Sequence, residues 1–347
     1  MILLTIDWAL IIEKLVLIAI IITASLVIAM YATYGERKVA AWMQDRRGPS
    51  RAGPFGLLQP LADGVKLFFK EEIIPTTSSK FLFILGPSLA MITAMMTCAV
   101  VPWGGHLELF GRNINLQIAD VNVAILFIFA VVSLGVYGIM IGGWASNNKF
   151  SLMAAMRGAS QVISYELPMG LSLIALLMVT GSLSLRDMVD QQIAGNWNIL
   201  YQPLGFLIFF ICAMAECNRA PFDLPEAENE LNMGYHQEYS SMKLGFYLFA
   251  EYINMFISSA IMATLFFGGY DVPFLDESTL SPNLAAIIGI VAFLAKIFAF
   301  IFVFMWIRWT LPRFRYDQLM NLGWKGLIPL ALANMVATGA FILYFNK

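Results

Sequence analysis

The chain has 347 residues, of which 59% are hydrophobic and 13% charged, with a net charge of −2 and a mean hydropathy of +0.74. Soluble domains carry roughly 25% charged residues. The composition therefore excludes a soluble fold, which would lack the polar surface to cover so many apolar side chains, and it predicts a polytopic membrane protein.

Eight segments are long and apolar enough to cross a bilayer, which requires about 20 residues. The first begins near the N-terminus without a cationic segment and is too long for a signal peptide, so we expect no cleavable leader. The fourth contains Pro168 and the fifth is short. The segments are residues 11–34, 81–101, 120–142, 159–181, 199–217, 244–267, 285–307 and 325–345. We predict an all-α bundle of about eight transmembrane helices that forms a single domain over residues 1–347.

Lysine and arginine are distributed unevenly between the two sides of this predicted bundle. The loops after spans one, three, five and seven, together with Lys325 at the start of span eight, contain 16 of these residues. The opposite side, with both termini, contains four: Lys14, Arg112, Arg186 and Lys347. Because cytoplasmic loops are enriched in positive charge, these loops are predicted to face the cytoplasm and both termini to lie outside.

The first cytoplasmic loop, residues 35–80, is predicted to be structured. It contains amphipathic stretches at 38–46 and 57–70, which suit helices lying at the membrane interface. A simple cationic anchor on anionic lipid is the alternative. It does not explain the dense glycines and prolines of residues 48–60, which are typical of specific turns.

Acidic residues are concentrated after the fifth span. Six lie between residues 216 and 238, and a seventh lies in the next span. Clustered, desolvated carboxylates can exchange protons near neutral pH, as a proton relay requires. The seven are Glu216, Asp223, Glu226, Glu228, Glu230, Glu238 and Glu251.

Topology predicts the depth of the intramembrane charges. Glu166 and Glu251 should lie about 10 Å below the cytoplasmic surface at a rise of 1.5 Å per residue, and acids at such depth are usually functional. Glu36 and Glu216 end their spans and could be ordinary headgroup-level acids. Lys296 should lie near the membrane centre, either in the relay or paired with an acid. The loop acids could equally form a solvated face, although Glu226 and Glu230 would be like charges at i,i+4.

Metal and redox cofactor sites are not predicted for this chain. The cysteines Cys98, Cys212 and Cys217 lack metal-ligand spacing, and two histidines cannot provide the usual haem or iron–sulfur ligation. Neither a GxGxxG nor a Walker motif is present. Any redox chemistry must use the cofactor of another protein.

Four segments carry a resemblance to a known family. They are GERKVAAWMQDRRGPSRAGPFGLLQPLADGVKLFFKE at 35–71, GGWASNNKFSLMAAMRGASQVISYE at 142–166, AECNRAPFDLPEAENEL at 215–231 and RWTLPRFRYDQLM at 308–320. Together they closely resemble the H subunit of bacterial NADH-quinone oxidoreductase, the counterpart of subunit 1 of mitochondrial respiratory complex I. Residues Ala40–Trp42 and Asn232–Met233 depart from the usual pattern, which affects local packing rather than the resemblance.

The resemblance implies an eight-helix subunit that docks a peripheral redox arm, helps to form a quinone chamber and provides a polar path into the membrane. Residues matching the quinone chamber and its entrance are Glu36, Arg37, Asp63, Glu71, Arg219 and Asp223. Residues matching the proton path are Glu166, Glu216, Glu226, Glu228, Glu230, Glu238 and Glu251. Lys296 is added to this proton path because of its predicted depth in the membrane.

The resemblance also implies that the chain works only within a complex, in the inner membrane of a bacterium. Quinone would be the substrate, while NADH, flavin and iron–sulfur clusters would be bound by partner subunits. Other subunits and membrane lipid are the expected partners, and nucleic acid is not. The alternatives are the equivalent subunit of a membrane-bound hydrogenase-type complex, which the elaborated first loop disfavours, or a proton-coupled secondary transporter, whose paired repeats are not visible.

Overall fold

The computed structural model describes residues 8–109, 112–273 and 281–345. Long helices dominate this part of the chain, and two short strands form a hairpin. In chain order the α-helices are α1 (Trp8–Met43), α2 (Gln59–Phe69), α3 (Lys80–Thr97), α4 (Ala124–Ala145), α5 (Lys149–Thr180), α6 (Leu185–Ala194), α7 (Asn198–Tyr201), α8 (Pro203–Glu216), α9 (Glu228–Leu231), α10 (Ser241–Phe266), α11 (Pro282–Thr310), α12 (Tyr316–Asn321) and α13 (Ile328–Phe345).

The predicted fold class is confirmed, because each predicted span falls on an apolar helix. Within the described ranges, seven helical segments are long and apolar enough to cross a membrane, with α12 and α13 joined through a π-helical turn into the last of them. The eighth is α8, whose 14 residues extend only about 21 Å at 1.5 Å per residue, less than the roughly 30 Å hydrocarbon core. Pro168 lies within α5, which continues on both sides of it.

The central helix of the bundle is α10. Of its apolar stretch 72% is buried, against 17% for the span that contains α13. It packs against α1, α3 and α11. A Cβ at Gly142 of α4 would lie only 1.9 Å from the Tyr247 hydroxyl of α10, so glycine is required for this close helix approach.

The first loop is structured, as predicted, but its first amphipathic stretch is not a separate interfacial helix. Residues 38–43 continue α1, because Ala40 and Ala41 are buried against the rest of the protein. The second stretch forms α2, as predicted, and exposes Leu61, Val65 and Phe68. These positions lie on one face, which suits contact with lipid.

On the side away from the acidic loop, strands β1 (His106–Leu109) and β2 (Arg112–Asn115) pair antiparallel, with His106 opposite Asn115. The hairpin is joined to the start of α11 by two hydrogen bonds between Asn283 and the backbone of Glu108. It covers one end of the bundle and was not predicted from the sequence.

Candidate functional site

A buried group of charged side chains joins four parts of the chain. We call it the acid–arginine cluster. Arg219, in the loop after α8, lies at its centre, and its side chain is only 7% exposed. Its members are Glu36, Arg219, Asp223, Glu226, Glu251, Arg308 and Arg313.

Arg219 lies between two carboxylates on different helices. Its Nη1 is 3.4 Å from Oε2 of Glu36 on α1, and its Nη2 is 3.8 Å from Oε2 of Glu251 on α10. Its guanidinium also stacks 4.0 Å from the centre of the Tyr252 ring. Burial opposes the charge of Arg219, but Tyr252 and the acids hold its pKa well above the ordinary value. The guanidinium is therefore a fixed positive charge between two acids.

Glu36 has two further partners. The Tyr252 hydroxyl donates to its Oε2 at 2.7 Å, and Arg308, near the end of α11, forms an ion pair with its Oε1. A terminal acid in the headgroup region would be solvated, whereas Glu36 is buried. The structure therefore places Glu36 inside the site rather than in the surrounding solvent.

Glu251 faces the loop acids. The Tyr235 hydroxyl donates to its Oε1 at 3.0 Å, and the carboxyl of Glu226 is within hydrogen-bonding reach of it. Burial acts to raise the pKa of Glu226, but Arg219 and His236 bring it below the usual value. Two adjoining carboxyl groups share one environment, so a proton gained by one affects the other directly.

Asp223 is a loop acid whose pKa lies near neutrality. Burial, with repulsion from Glu226, raises its pKa to about 7, despite the opposing charge of Arg313 at 3.9 Å. The described cluster thus contains three arginines and four acids. Because burial penalises an uncompensated charge, one acid of the four can hold a proton near neutral pH.

The loop that carries Arg219 is fixed by a glutamine that sequence reasoning missed. Gln161 on α5 is fully buried, and its Nε2 donates to the carbonyls of Ala215 at 2.6 Å and Phe222 at 2.7 Å. These carbonyls flank the turn that contains Arg219. An amide within an apolar span, one helical turn before Glu166, was the available signal.

An acid-lined cavity of about 80 Å³ lies beside the acid–arginine cluster. Glu216, Asn218, Tyr235 and Glu251 line one end, and Leu265 lines the cavity further along α10. Glu166 is half-buried, accepts a hydrogen bond from Ser133, and interacts electrostatically with Glu216. The structure therefore brings Glu166, Glu216, Glu226 and Glu251 to one region.

Residues of the first loop form a neighbouring ion pair. Arg37 Nη1 lies 2.7 Å from Oδ2 of Asp63, and the Gln59 amide donates to the same carboxylate at 3.1 Å. Arg37 is 51% exposed, so it faces away from the buried cluster. Glu71 meets the start of α10 through its backbone carbonyl, which accepts from the Ser240 hydroxyl.

Other loop acids do not join the cluster. Glu230 pairs with Arg157 at 2.6 Å, and Glu238 accepts from the Asn148 amide at 2.7 Å. The side chain of Glu228 lies outside the described residues. The expected i,i+4 repulsion between Glu226 and Glu230 does not arise within a helix, because α9 begins only at Glu228.

Lys296 lies well away from the acids. Its ammonium donates to the backbone carbonyls of Phe267, Gly269 and Asp271, beyond the end of α10. Phe267 is 16 residues after Glu251, or about 24 Å along the helix at 1.5 Å per residue. Among the described residues Lys296 forms no ion pair with Glu166 or Glu251, so the expected pairing with one of these acids is not seen; the acid that interacts with it electrostatically is Asp271.

Tyr252, Arg308, Arg313, Tyr235 and Ser133 were also given no role from the sequence, although each contacts a predicted acid. Hydroxyls and arginines are common at helix ends, and their convergence depends on how distant helices pack. Only the three-dimensional structure could identify them.

Comparison with known proteins places this chain within a family. Residues 15–339 match the family model described as NADH dehydrogenase. The chain is 66% identical to an H subunit of NADH-quinone oxidoreductase from Cytophaga hutchinsonii, over 96% of this chain and 97% of the relative. It is 63% identical to the H subunit from Flavobacterium psychrophilum over 98% of this chain and 100% of the relative, and 51% identical to an H subunit from Geobacter metallireducens over 94% and 95%. The chain therefore belongs to the NADH dehydrogenase family.

Proposed function

We propose that this chain is a membrane subunit of a proton-translocating NADH-quinone oxidoreductase. It would help to form the quinone chamber and would couple quinone reduction to proton translocation. Full-length similarity to proteins named as the H subunit of this enzyme supports the assignment to such a complex. The observation that carries the coupling role is the position of Arg219, shared between Glu36 on α1 and Glu251 beside the acid-lined cavity.

The proposed quinone side comprises Glu36, Arg37, Asp63, Glu71, Arg219 and Asp223. The exposed apolar face of α2 would guide a lipid-soluble substrate towards the Arg37–Asp63 pair. Helix α2 is joined to α10 by Ser241, whose hydroxyl donates to Leu67 O at 3.2 Å, and by an ion pair between Lys243 and Glu72. Substrate at α2 would therefore contact a helix that packs against α10, the helix that carries Glu251.

The proposed proton path consists chiefly of Glu166, Glu216, Glu226 and Glu251. One water molecule needs about 10–15 Å³ of cavity volume. The acid-lined cavity, at about 80 Å³, therefore has room for several. Water and carboxyl groups together can pass protons between groups that do not touch. Glu230 and Glu238, which are paired at the loop surface, and Glu228 would shape the acidic loop around this path.

The step that couples the two sides is electrostatic. Reduction of a quinone takes up protons, and a carboxyl such as Asp223, with a pKa of about 7, can supply one near neutral pH. Loss of that proton would add a negative charge to the acid–arginine cluster. The added charge would favour protonation of Glu226 or Glu251, which lie next to the acid-lined cavity.

Partners and location follow from the same assignment. We propose that quinone is the substrate, and that partner subunits hold NADH, flavin and iron–sulfur clusters. The chain would be active only in the complex, in the bacterial inner membrane, with both termini on the outer side. Labelling of a cysteine placed at Ser50 from outside in intact cells would contradict this orientation.

The decisive experiment replaces Arg219 with methionine in the intact complex. We expect electron transfer from NADH to a water-soluble acceptor to remain, while quinone turnover and proton pumping fall together. Arg315→Met is the matched control, because Arg315 is 73% exposed and forms an ion pair with exposed Asp317, away from the acid–arginine cluster. An assembled Arg219→Met complex with normal quinone turnover and a normal pumping ratio would overturn the proposal.

A further inference from the structure

A second polar group closes the other end of the acid-lined cavity. Leu185, the first residue of α6, and Leu265, near the end of α10, line that end. The amide of Asn198 donates to the Leu265 carbonyl at 2.8 Å, immediately beyond the cavity wall. The polar group beyond this end of the cavity extends from Asn198 to Lys296, and we call it the outer seal. Its members are Gln192, Trp197, Asn198, Lys296 and the turn 267–271.

Gln192 uses its full hydrogen-bonding capacity in the outer seal. It is buried, its Nε2 donates to the carbonyls of Met188 and Thr264, and its Oε1 accepts from the backbone N–H groups of Asn198 and Gly268. A side-chain amide has two donor hydrogens and two acceptor lone pairs. Gln192 therefore joins α6, the segment before α7 and the end of α10 with no unused polar atom.

Lys296 completes the outer seal from α11. Its ammonium lies 2.7 Å from Phe267 O, 2.9 Å from Gly269 O and 2.6 Å from Asp271 O. It also lies 4.7 Å from the centre of the Trp197 ring, whose N–H donates to Oδ2 of Asp271 at 2.8 Å. All three ammonium hydrogens are thus used, and the aromatic face adds a favourable cation–π contact.

The turn that supplies these carbonyls has a backbone that favours glycine. Gly268 and Gly269 have φ of +72° and +56°. A Cβ at Gly268 would lie 2.7 Å from Nε1 of Trp197, and one at Gly269 would lie 2.8 Å from the Val189 side chain. The turn therefore presents its carbonyls to one cation while packing tightly against α6 and Trp197.

Short helix α8 explains why a seal is required here. Its 14 residues cover only about 21 Å of the roughly 30 Å hydrocarbon thickness. Residues 195–202, of which only the four of α7 are helical, and the turn 267–271 fill the remaining length. Non-helical backbone at membrane depth is tolerated only when it is buried in protein or lines a water-filled space. In the outer seal this backbone is paired with protein groups, which disfavours the passage of water.

We infer that Lys296, through the three hydrogen bonds of its ammonium, keeps the acid-lined cavity closed to the outer side of the membrane. The inference rests on the proposed function in taking that cavity as a proton path. Lys296 does not relay protons in this arrangement, because its hydrogens are all bonded to carbonyls, which cannot take them up. Loss of the ammonium would remove the hydrogen-bond donor of three partly buried carbonyls beyond the end of α10, and water would enter to solvate them.

The test is a passive leak measurement on the intact complex in liposomes, without NADH or quinone. A potassium gradient with valinomycin drives protons inward, and an internal pH dye records the acidification. We expect Lys296→Met to raise the proton leak several-fold over wild type. Lys14→Met is the control, because Lys14 also donates to a backbone carbonyl, that of Gln117, outside the outer seal. A Lys296→Met complex as proton-tight as wild type would overturn the inference.

A second variant covers the case in which Lys296→Met does not assemble. Trp197→Phe keeps an aromatic face over the ammonium but removes the N–H that bonds Asp271, and we expect a smaller, measurable leak. A tight Trp197→Phe complex would then overturn the inference. Adding Glu251→Gln to a leaking variant should reduce the leak. An unchanged leak would show that protons bypass the acid-lined cavity, which contradicts the link to the proton path while leaving the catalytic tests of Arg219 unaffected.

Discussion

The acid–arginine cluster and the outer seal are two buried polar groups on the same central helix, and they are built in opposite ways. Arg219 and Lys296 are both cations, yet Arg219 lies between two carboxylates, whereas the three hydrogen bonds of the Lys296 ammonium go to backbone carbonyls. A carboxylate can bind a proton, whereas a backbone carbonyl keeps its neutral form. The direct partners of Arg219 can therefore change their charge, and the hydrogen-bond partners of Lys296 cannot.

Hydrogen bonding shows the same contrast. In the described part of the chain, buried Arg219 Nε, Arg219 Nη2, Asp223 Oδ1 and Arg313 Nη2 have no hydrogen-bond partner. Lys296 and Gln192 use every polar hydrogen that they have. A fully satisfied network is rigid, whereas a buried polar atom without a partner costs free energy until a new partner reaches it. The comparison predicts that mutations in the first group alter turnover and those in the second alter leak.

The largest effect is expected from removing the protonatable carboxyl groups of Glu166 and Glu251 together. In the double variant Glu166→Gln, Glu251→Gln, the two amides keep the shape of the glutamate side chains but cannot change their charge. We expect the complex to assemble and to pass electrons from NADH to a water-soluble acceptor. Quinone turnover and pumping should fall together by about tenfold or more, since positioned proton-transfer groups contribute factors of about 10²–10⁴.

Quinone reduction and proton uptake should be measured on the same preparation of this double variant. Glu13→Gln is a suitable control, because Glu13 lies near the start of α1, some 23 residues before Glu36. An assembled double variant that pumps at the normal rate and ratio would mean that these acids are structural.

The positions of the spans and of the acids within them could be predicted from the sequence, because span lengths and the positions of charged residues are local properties. Glu166, Glu216 and Glu251 could be selected as rare acids within apolar helices, and Asp223 and Glu226 as part of an acidic run. The extension of α1 to Met43 was missed because Lys38 and Arg46 gave the segment an interfacial pattern. Burial of Ala40 and Ala41, which decides the matter, depends on tertiary packing.

The partners of these acids could not be predicted. Arg308 is 272 residues from Glu36, and Tyr252 is 216 residues from it, so only helix packing brings them together. Lys296 was predicted to lie near the membrane centre, but its partners are backbone carbonyls beyond the end of α10, which have no sequence signature. Hydropathy predicts where a charged side chain is energetically unfavourable, and the tertiary fold determines which groups stabilise it.

A smaller effect is expected at Gln161, which positions Arg219 without touching an acid of the cluster. Gln161→Leu leaves the carbonyls of Ala215 and Phe222 unpaired, at about 1–3 kcal/mol for each buried group, and should lower quinone turnover in the assembled complex. In Gln161→Glu only the protonated acid can donate to one of these carbonyls. We therefore expect turnover relative to wild type to be higher at pH 6 than at pH 8.

The pH profile separates positioning from general damage. A merely destabilised complex would lose activity at both pH values in Gln161→Leu and Gln161→Glu alike. If the two variants have the same pH dependence as wild type, the hydrogen bonds of Gln161 do not set the position of Arg219.

The smallest expected effect is on stability, at Asp223. Because burial raises its pKa to about 7 in the folded protein, against about 3.8 ordinarily, the folded state favours the protonated acid. Its stabilising contribution is complete below pH 4 and is lost as the pH rises through 7. We expect the assembled complex to melt at a lower temperature at pH 8 than at pH 6, and Asp223→Asn, which stays neutral, to reduce that difference. Thermal melting of both complexes across this range tests the sign, and a larger pH difference in Asp223→Asn would show that Asp223 is ionised in the fold.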